Sequence, residues 1–576
     1  MEWARGWSYA HPRLRIRLRE AWGWTRDLAL ATHLRQPFDP PEFADLRLLA
    51  ATAPPLPTEG DTVLILSFRG WSTHVVIESV LGHALLQRGA RPVFASCGGR
   101  LPICDIVPAP TAPPMPCRSC AGYVRDAAAA AGFPMVNVRD LVDLPPLLRE
   151  ARRATDQLGT VAACSGYSFG GLPLGELVST SVKWFVSRGT LTDDDPLVLS
   201  SYRRFIESGI VLVRAFEQLL TTTQPQQVFL LNGAFFAERI LAELADRQGI
   251  PVVRYEKGFL TASVLVSRWR RDVDDLAVDD AVWDVAAAQP LSPVEQREID
   301  DYLLERIGGG RTFDNFWRER IEDLDHVRTM LRLQPDRQTV AVLCNILWDS
   351  ATQGKDDAFA SMSEWIVEAI RWAEARPDVD LVVRIHPAEV KMLNHVSREP
   401  MAGLIGEAFP RLPANVRVVP PESTLSTYAI MGLSDAVLVY TSTTGLEAAC
   451  LGIPTLVAAH SHYAGRGFTR EAANSAAYWA ALDQVLTTPP DEGDRARSVE
   501  LARRYAHLFF FRFHQHLTSV EEPGRSRVRL TATATRGLTI GHDAGLDRIA
   551  DAVVSTRGDH GLTGALVTGD GPVGPP

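Results

Sequence analysis

A chain of 576 residues exceeds what a single hydrophobic core holds, so two or more domains are expected. Hydrophobic residues at 46% and charged residues at 22% fit a globular protein, and a formal charge of −10 argues against a general nucleic-acid binder. No apolar run reaches the roughly 18–20 residues that cross a bilayer, and residues 1–7 lack the apolar core of a secretory signal, so a cytoplasmic protein is expected.

Residues 1–60 read as a helical extension followed by a linker. Arginines alternate there with Trp3, Trp7, Trp22 and Trp24. Such a helix either packs on the main body or rests peripherally on an anionic inner-membrane surface. The run Thr62–Ser67 is short and apolar, as buried parallel strands are, and it leads into helical spacing over Thr73–Gln87 and a second strand at Pro92–Ser96. The region 140–225 reads as mainly helical. A further strand–helix–strand unit follows: Gln227–Asn232, Ala234–Gln248 and Val252–Glu256, with Gly249-Ile250-Pro251 stopping the helix.

A charged helical stretch near 295–335 separates this half from a new series of strands. These are Thr339–Cys344, Leu381–Ile385, Val416–Val419, Ala436–Tyr440 and Thr455–Ala458, with helices at Phe359–Ala375 and Leu446–Leu451 between them. Alternating strands and helices imply parallel, doubly wound sheets. The expected fold is therefore α/β, with two Rossmann-like domains over 61–325 and 326–540 facing across a cleft. The Gly-, Thr- and Asp-rich tail at 541–576 is expected to be mobile.

Ligands of open α/β sheets bind beyond the carboxyl ends of strands, so residues at those ends are the candidates for function. Arg384-Ile385-His386-Pro387 ends one strand, where the imidazole can donate a hydrogen bond to a phosphate or nucleotide oxygen and Pro387 fixes the chain's exit. Tyr440 is followed by Thr441, Ser442, Thr443, Thr444 and Gly445, and then at once by a helix. Hydroxyls, backbone N–H groups and the positive end of a helix dipole suit an anion. The alternative there is a Ser/Thr cap closed by Glu447 in a capping box; Glu447 could also bond a ribose. Together these two strand ends describe a metal-free cradle for a nucleotide phosphate. Asn345 and Asp349 follow another strand and are candidates for the donor pocket. In the first half, Glu256 in Tyr255-Glu256-Lys257-Gly258 is the candidate general base for an acceptor hydroxyl, with Asn232 and Gly233 beside it.

Other patterns point elsewhere. Gly166-Tyr167-Ser168-Phe169-Gly170 fits the nucleophile elbow of α/β-hydrolases, with Ser168 as nucleophile. Asp272-Val273-Asp274 and Asp378-Val379-Asp380 are strings of the kind that hold Mg²⁺ in some transferases, and here both are expected to be solvated surface. Cys97, Cys104, Cys117 and Cys120 are candidate ligands of one structural Zn²⁺, whereas Cys164, Cys344 and Cys450 read as core.

Three strings, Asn345–Asp349, Arg384–Glu389 and Tyr440–Glu447, resemble those of bacterial capsule polysaccharide biosynthesis proteins. Gly452-Ile453-Pro454 followed by His462–Thr469 adds to the likeness, which runs over roughly 225–480. That family is similar to GT-B glycosyltransferases that use CMP-activated Kdo or sialic acid. In the sialic acid branch a His-Pro motif and a Ser/Thr motif hold CMP, and an acidic-acidic-Gly motif supplies the base. His386-Pro387 and Ser442-Thr443 match the first two; Glu256-Lys257-Gly258 matches the third in part, because Lys257 replaces an acidic residue. The resemblance implies transfer of a sugar from a nucleotide-activated donor to a surface polysaccharide or glycolipid acceptor, with no catalytic cofactor. A non-hydrolysing nucleotide-sugar epimerase shares the expected architecture and is the alternative.

Overall fold

A computed structural model describes residues 40–109, 115–269, 277–308, 320–392, 396–524 and 527–555, together with Arg17 and Ala21. The described chain forms two compact units. The first contains residues up to Val186, Leu191–Leu276 and everything from Phe513 onward; the second contains Ala277–Arg512 and the short piece Ser187–Thr190.

The sheet of the first unit has seven strands. They are β1 (Thr62–Leu66), β2 (Arg91–Ser96), β3 (Met135–Asn137), β4 (Gln227–Leu231), β5 (Val252–Lys257), β6 (Ser263–Arg268) and β12 (Gln515–His516), in the spatial order β12-β6-β5-β4-β1-β2-β3. The strands β3-β2-β1-β4-β5 are mutually parallel, whereas β6 runs antiparallel to β5 and β12 antiparallel to β6. The order 3-2-1-4-5 is that of a doubly wound Rossmann-like sheet, and the chain changes direction of winding between β1 and β4.

Side chains of β1 alternate between two cores, as the pleat requires. Val63 and Ile65 pack with Phe43 and Leu46 of the helix Pro41–Thr52 and with Val76 and Val80 of the helix Ser72–Leu86. Leu64 and Leu66 pack on the opposite face with Val178, Phe205, Leu212 and Ile240. The region 140–225 supplies that second layer. Its helices are Leu144–Asp156, Val161–Ser165, Leu174–Val186 and the 28-residue Pro196–Thr223.

The second unit has a wholly parallel sheet of β7 (Gln338–Leu343), β8 (Val379–Arg384), β9 (Val416–Val419), β10 (Ala436–Val439) and β11 (Thr455–Val457), in the order β11-β10-β7-β8-β9. Counted within the unit, this again is 3-2-1-4-5, with the change of winding between β7 and β10. Val340, Val342, Leu381, Val383 and Leu438 build its core with Trp365, Ile366 and Ile370 from the helix Met362–Glu374 and Tyr478 and Leu482 from the helix Ser475–Thr487.

The domain limits differ from those expected. The second unit begins at Ala277 and ends at Arg512, rather than running over 326–540. After Phe513 the chain returns to the first unit, where Gln515 and His516 pair with β6. The hairpin β13 (Val520–Gly524) and β14 (Arg527–Leu530) follows. Within the expected mobile tail, Ala544–Ser555 is a helix whose Leu546, Ile549 and Val553 enter the first core. Its acidic side chains Asp547 and Asp551 pair with Arg88 at 2.9 and 2.5 Å. Residues 556–576 of that tail, and the tryptophan-bearing part of the N-terminal extension, lie outside the described residues. Among the described residues no helix is long and apolar enough to cross a membrane.

Candidate functional site

In the second unit the switch between β7 and β10 brings two expected residues together. The Asn345 side-chain oxygen accepts from the Thr441 backbone N–H at 3.3 Å, joining the exits of the two strands. Thr441 Oγ1 is buried and has no hydrogen-bond partner among the described residues. Ser442 Oγ donates to Thr444 Oγ1 at 3.0 Å and accepts from the Thr444 N–H at 3.3 Å. Thr443 occupies the cap position of the helix Thr444–Cys450 without a side-chain cap bond. Thr441, Ser442, Thr443 and Thr444 are all half-buried, so a run of hydroxyls lines the end of β10.

One glycine holds this turn. The Tyr463 hydroxyl donates to the Ser442 carbonyl at 2.6 Å, and a Cβ on Gly445 would collide with that hydroxyl and stand 2.7 Å from Val439 Cγ2. Both neighbours are fully buried. Gly445→Ala is therefore expected to destabilise the second unit by about 1–3 kcal/mol and to displace the Ser442 turn. Thermal melting, with and without nucleotide, measures both.

His386 ends β8 beside this turn's sheet neighbour β7. Its Nδ1 accepts from the Ala388 N–H at 3.1 Å, which leaves the proton of the neutral ring on Nε2. Burial, and next the Arg384 charge, push the His386 pKa down to about 4. The ring is thus neutral near pH 7 and its outer nitrogen is a donor. Pro387 stands at the cap of the short helix Ala388–Lys391 and sets that geometry.

Two residues expected to contact a nucleotide turn to protein groups. Arg384 is buried, and its guanidinium donates to the carbonyls of Pro420 at 2.6 Å and Ser423 at 3.0 Å, bracing the loop after β9. Glu447 closes no capping box and offers no open oxygen to a ribose. It is buried and accepts from Tyr302 Oη at 2.7 Å, Arg306 Nε at 2.8 Å and Tyr428 Oη at 2.7 Å. Asp349 caps its own turn by accepting from the Ala351 N–H at 3.0 Å.

At the carboxyl edge of the first sheet, Asn232 and Glu256 meet as expected. Asn232 Nδ2 donates to Glu256 Oε2 at 2.7 Å, the Lys257 N–H donates to Oε1 at 2.9 Å, and Asn232 Oδ1 accepts from the Ala234 N–H at 2.9 Å. Gly233, between them, adopts φ +77°. Lys257, which breaks the acidic pattern, forms a partly buried ion pair with Glu522 of β13 at 2.6 Å. Gly258 has no room for a side chain, because a Cβ would collide with Ser263 Oγ.

Deeper at the same edge, Arg69 pairs with Asp105 at 2.8 Å and Glu238 at 3.1 Å, and Ser181 Oγ donates to the second Asp105 oxygen at 2.7 Å. Burial raises Glu238 to about 7 against the pull of Arg69. This network, and the contacts of Tyr255 with Glu78 and His74, escaped sequence reading. The only trace was the four-residue spacing of His74 and Glu78 on one helix.

The four clustered cysteines do converge. Cys97, Cys104, Cys117 and Cys120 line one cavity of about 30 Å³ with Phe68, Arg69 and Glu238. Among the described residues, however, no three His, Cys, Asp or Glu side chains are arranged to hold a metal ion. Burial raises Cys97 to about 12 and Cys104 well above its ordinary value, which favours the thiol over the thiolate at both.

The hydrolase reading is overturned. Val161–Ser165 is a helix rather than a strand, and Ser168 sits exposed in the turn after it, so no strand-to-helix elbow exists. Asp380 is fully buried at the amino end of β8, where it accepts from the Gln334 N–H at 2.8 Å and lies 3.5 Å from Arg337. Asp378 is exposed, and Asp272 and Asp274 lie outside the described residues.

No protein-family model matches the chain, and no curated protein matches it. Solved structures that resemble it include the KpsC β-Kdo 2,4 transferase of Thermosulfurimonas dismutans, at 15% identity over 52% of this chain and 83% of that one, with a TM-score of 0.29. The spinosyn rhamnosyltransferase SpnG resembles it at 13% identity over 77% and 96%, with a TM-score of 0.25. The UDP-GlcNAc 2-epimerase of Neisseria meningitidis, bound to UDP-GlcNAc, resembles it at 11% identity over 77% and 95%, with a TM-score of 0.26. These likenesses are distant, so the fold assignment rests on strand order: the chain is an α/β protein with two Rossmann-like sheets, the first mainly and the second wholly parallel.

Proposed function

We propose that the chain is a glycosyltransferase of the GT-B class that takes a sugar from a nucleotide-activated donor. The observation that carries this reading is the β7–β10 switch. There the Asn345–Thr441 bond joins two strand exits beside a run of half-buried hydroxyls, and the next strand, β8, ends in a neutral imidazole. In the mechanism proposed, His386 Nε2–H and the hydroxyls of Ser442 and Thr443 donate to the donor's phosphate. Hydrogen bonds aimed at that phosphate stabilise the charge it gains as the sugar departs. Asn232 and Glu256 are assigned to the acceptor, whose hydroxyl Glu256 holds. No metal is required in this scheme. CMP is the first candidate nucleotide, and a surface polysaccharide or glycolipid at the inner membrane the first candidate acceptor, both from the family resemblance.

The test has two stages. The purified chain is screened for binding of CMP, UDP, GDP and CDP, and the matching nucleotide sugars are then supplied with and without an oligosaccharide acceptor. Transfer that requires the acceptor and persists in EDTA supports the reading. Conversion of the donor alone would make the chain an epimerase, and strict dependence on Mg²⁺ would contradict the metal-free cradle.

A further inference from the structure

The carboxyl edge of the first sheet carries a second polar cluster, at the β1–β4 switch. β1 ends at Leu66 and the helix Ser72–Leu86 begins six residues later, with His74 and Glu78 one turn apart on the same face. Both reach Tyr255 of β5. Its hydroxyl donates to Glu78 Oε1 at 2.7 Å and lies 3.2 Å from His74 Nδ1. The phenol ring is fixed by stacking on Phe229, with centroids 5.0 Å apart and planes 3° from parallel. Glu78 is 2% exposed, and its Oε2 has no hydrogen-bond partner among the described residues. His74 is half-buried beside the exposed Trp71, with ring centroids 5.7 Å apart. Among the described residues the ring's only hydrogen bond is the one at Nδ1.

We propose that His74, Tyr255 and Glu78 form a proton path that draws the acceptor hydroxyl's proton inward, with His74 touching the acceptor and the other two acting through it. The proposal rests on the transferase reading and deepens it. Glu256, expected from the sequence to be the base, already accepts a hydrogen bond at each oxygen and orients the hydroxyl.

The hydrogen bonds define two states. With Glu78 ionised, Tyr255 donates to it, so the phenol oxygen accepts and His74 carries its proton on Nδ1. Nε2 is then a free base. With Glu78 protonated, Glu78 donates to Tyr255, Tyr255 donates to Nδ1, and the imidazole proton sits on Nε2. The charge of the buried carboxyl thus sets the tautomer of the half-buried ring. In the reaction the acceptor O–H bond breaks and its proton goes to Nε2. The Nδ1 proton moves to the Tyr255 oxygen, and the Tyr255 proton moves to Glu78 Oε1. The acceptor oxygen bonds to the anomeric carbon, and the bond from that carbon to the phosphate oxygen breaks, its electron pair leaving with the phosphate. The imidazole ends neutral.

The electrostatics suit both ends. Burial, then Arg69 and Lys257, push His74 down to about 3, so a route that never leaves an imidazolium is favoured. Burial raises Glu78 to about 7, opposed by the neighbouring hydroxyls of Ser67 and Tyr255 and by Arg69. The other charges near the path are Glu238 and Glu256, which act on Tyr255. Because Glu78 must be ionised to accept the proton, transfer should rise with pH through about 7.

Two measurements on the full chain test this. In ¹⁵N-histidine NMR, with the His74 signals assigned by loss in His74→Gln, the wild type should carry its proton on Nδ1 at high pH and on Nε2 at low pH, with the crossover near 7. Glu78→Gln should abolish that crossover. A single tautomer across the range in the wild type overturns the path, and this arm needs no substrate. In the transfer assay, Glu78→Gln and His74→Gln should each lower kcat by roughly 10²–10⁴-fold and remove the pH limb, with nucleotide affinity and melting unchanged. Unchanged kcat and pH profile in well-folded variants overturn it. A wild type that binds no nucleotide sinks the transferase reading and the path's catalytic role, while the tautomer switch stands or falls by the NMR alone.

Discussion

Arg69→Met should destabilise the first unit by about 3–5 kcal/mol, because it leaves two buried carboxylates without their shared cation. Asp105 and Glu238 are 3% and 1% exposed and lie 2.8 and 3.1 Å from the guanidinium. Methionine keeps the bulk of the side chain and removes only charge and hydrogen bonds. Burial already raises Glu238 to about 7, so its folded pKa lies above its unfolded value, and losing Arg69 raises it further. A group of that kind favours the folded state below its unfolded pKa and loses that contribution as pH rises through the folded value. The variant's deficit should therefore be smallest near pH 5 and largest above pH 7. Hydrogen exchange across the helix Phe236–Arg247, followed at both pH values, checks the size and the sign. A deficit independent of pH would mean that packing, not charge, dominates.

Glu447→Ala should cost the second unit a similar amount, about 3–5 kcal/mol. The carboxylate is 1% exposed and receives Tyr302 and Arg306 from the helix Pro293–Gly308 and Tyr428 from the helix Thr427–Gly432. Arg306 is itself mostly covered and depends on Glu447 for its charge partner. Removing the carboxylate strands one cation and two phenols. A ribose-binding role would give the opposite signature, a nearly unchanged melting temperature with nucleotide affinity lost. Denaturant titration, paired with nucleotide binding on the folded fraction, separates the two.

Much of the architecture is visible in the amino-acid pattern, because buried parallel strands write themselves as short apolar runs. Thr62–Ser67, Gln227–Asn232, Val252–Glu256 and all five strands of the second unit stand where that pattern puts them, within a residue or two. What the pattern cannot express is pairing at long range. Gln515 and His516 join a sheet whose partner strand lies some 250 residues earlier, and the Lys257–Glu522 pair spans 265 residues. The domain boundary moved for that reason. Strand-end position drew attention to the residues that meet at the two switches, Asn345 with Thr441 and Asn232 with Glu256, but it could not say which way a long side chain turns. Arg384 and Glu447 occupy positions that suit a ligand, yet each turns to neighbouring protein groups. His74 and Glu78 passed unnoticed because a helix with nearly every residue buried shows no periodic contrast to mark two polar members. Their partner Tyr255 stands next to Glu256 in sequence, on a strand whose alternate side chains face opposite ways.

The central claim is that the carboxyl edge of the second sheet binds a nucleotide phosphate, and calorimetric titration of CMP, with UDP, GDP and CDP alongside, tests it most directly. The account predicts saturable binding of at least one nucleotide in the presence of EDTA. His386→Ala and Ser442→Ala, both folded by thermal melting, should each weaken that binding about tenfold or more, which corresponds to the loss of roughly 1.4 kcal/mol or more. Binding of equal strength in the wild type and both variants, or no binding of any of the four nucleotides, would contradict it.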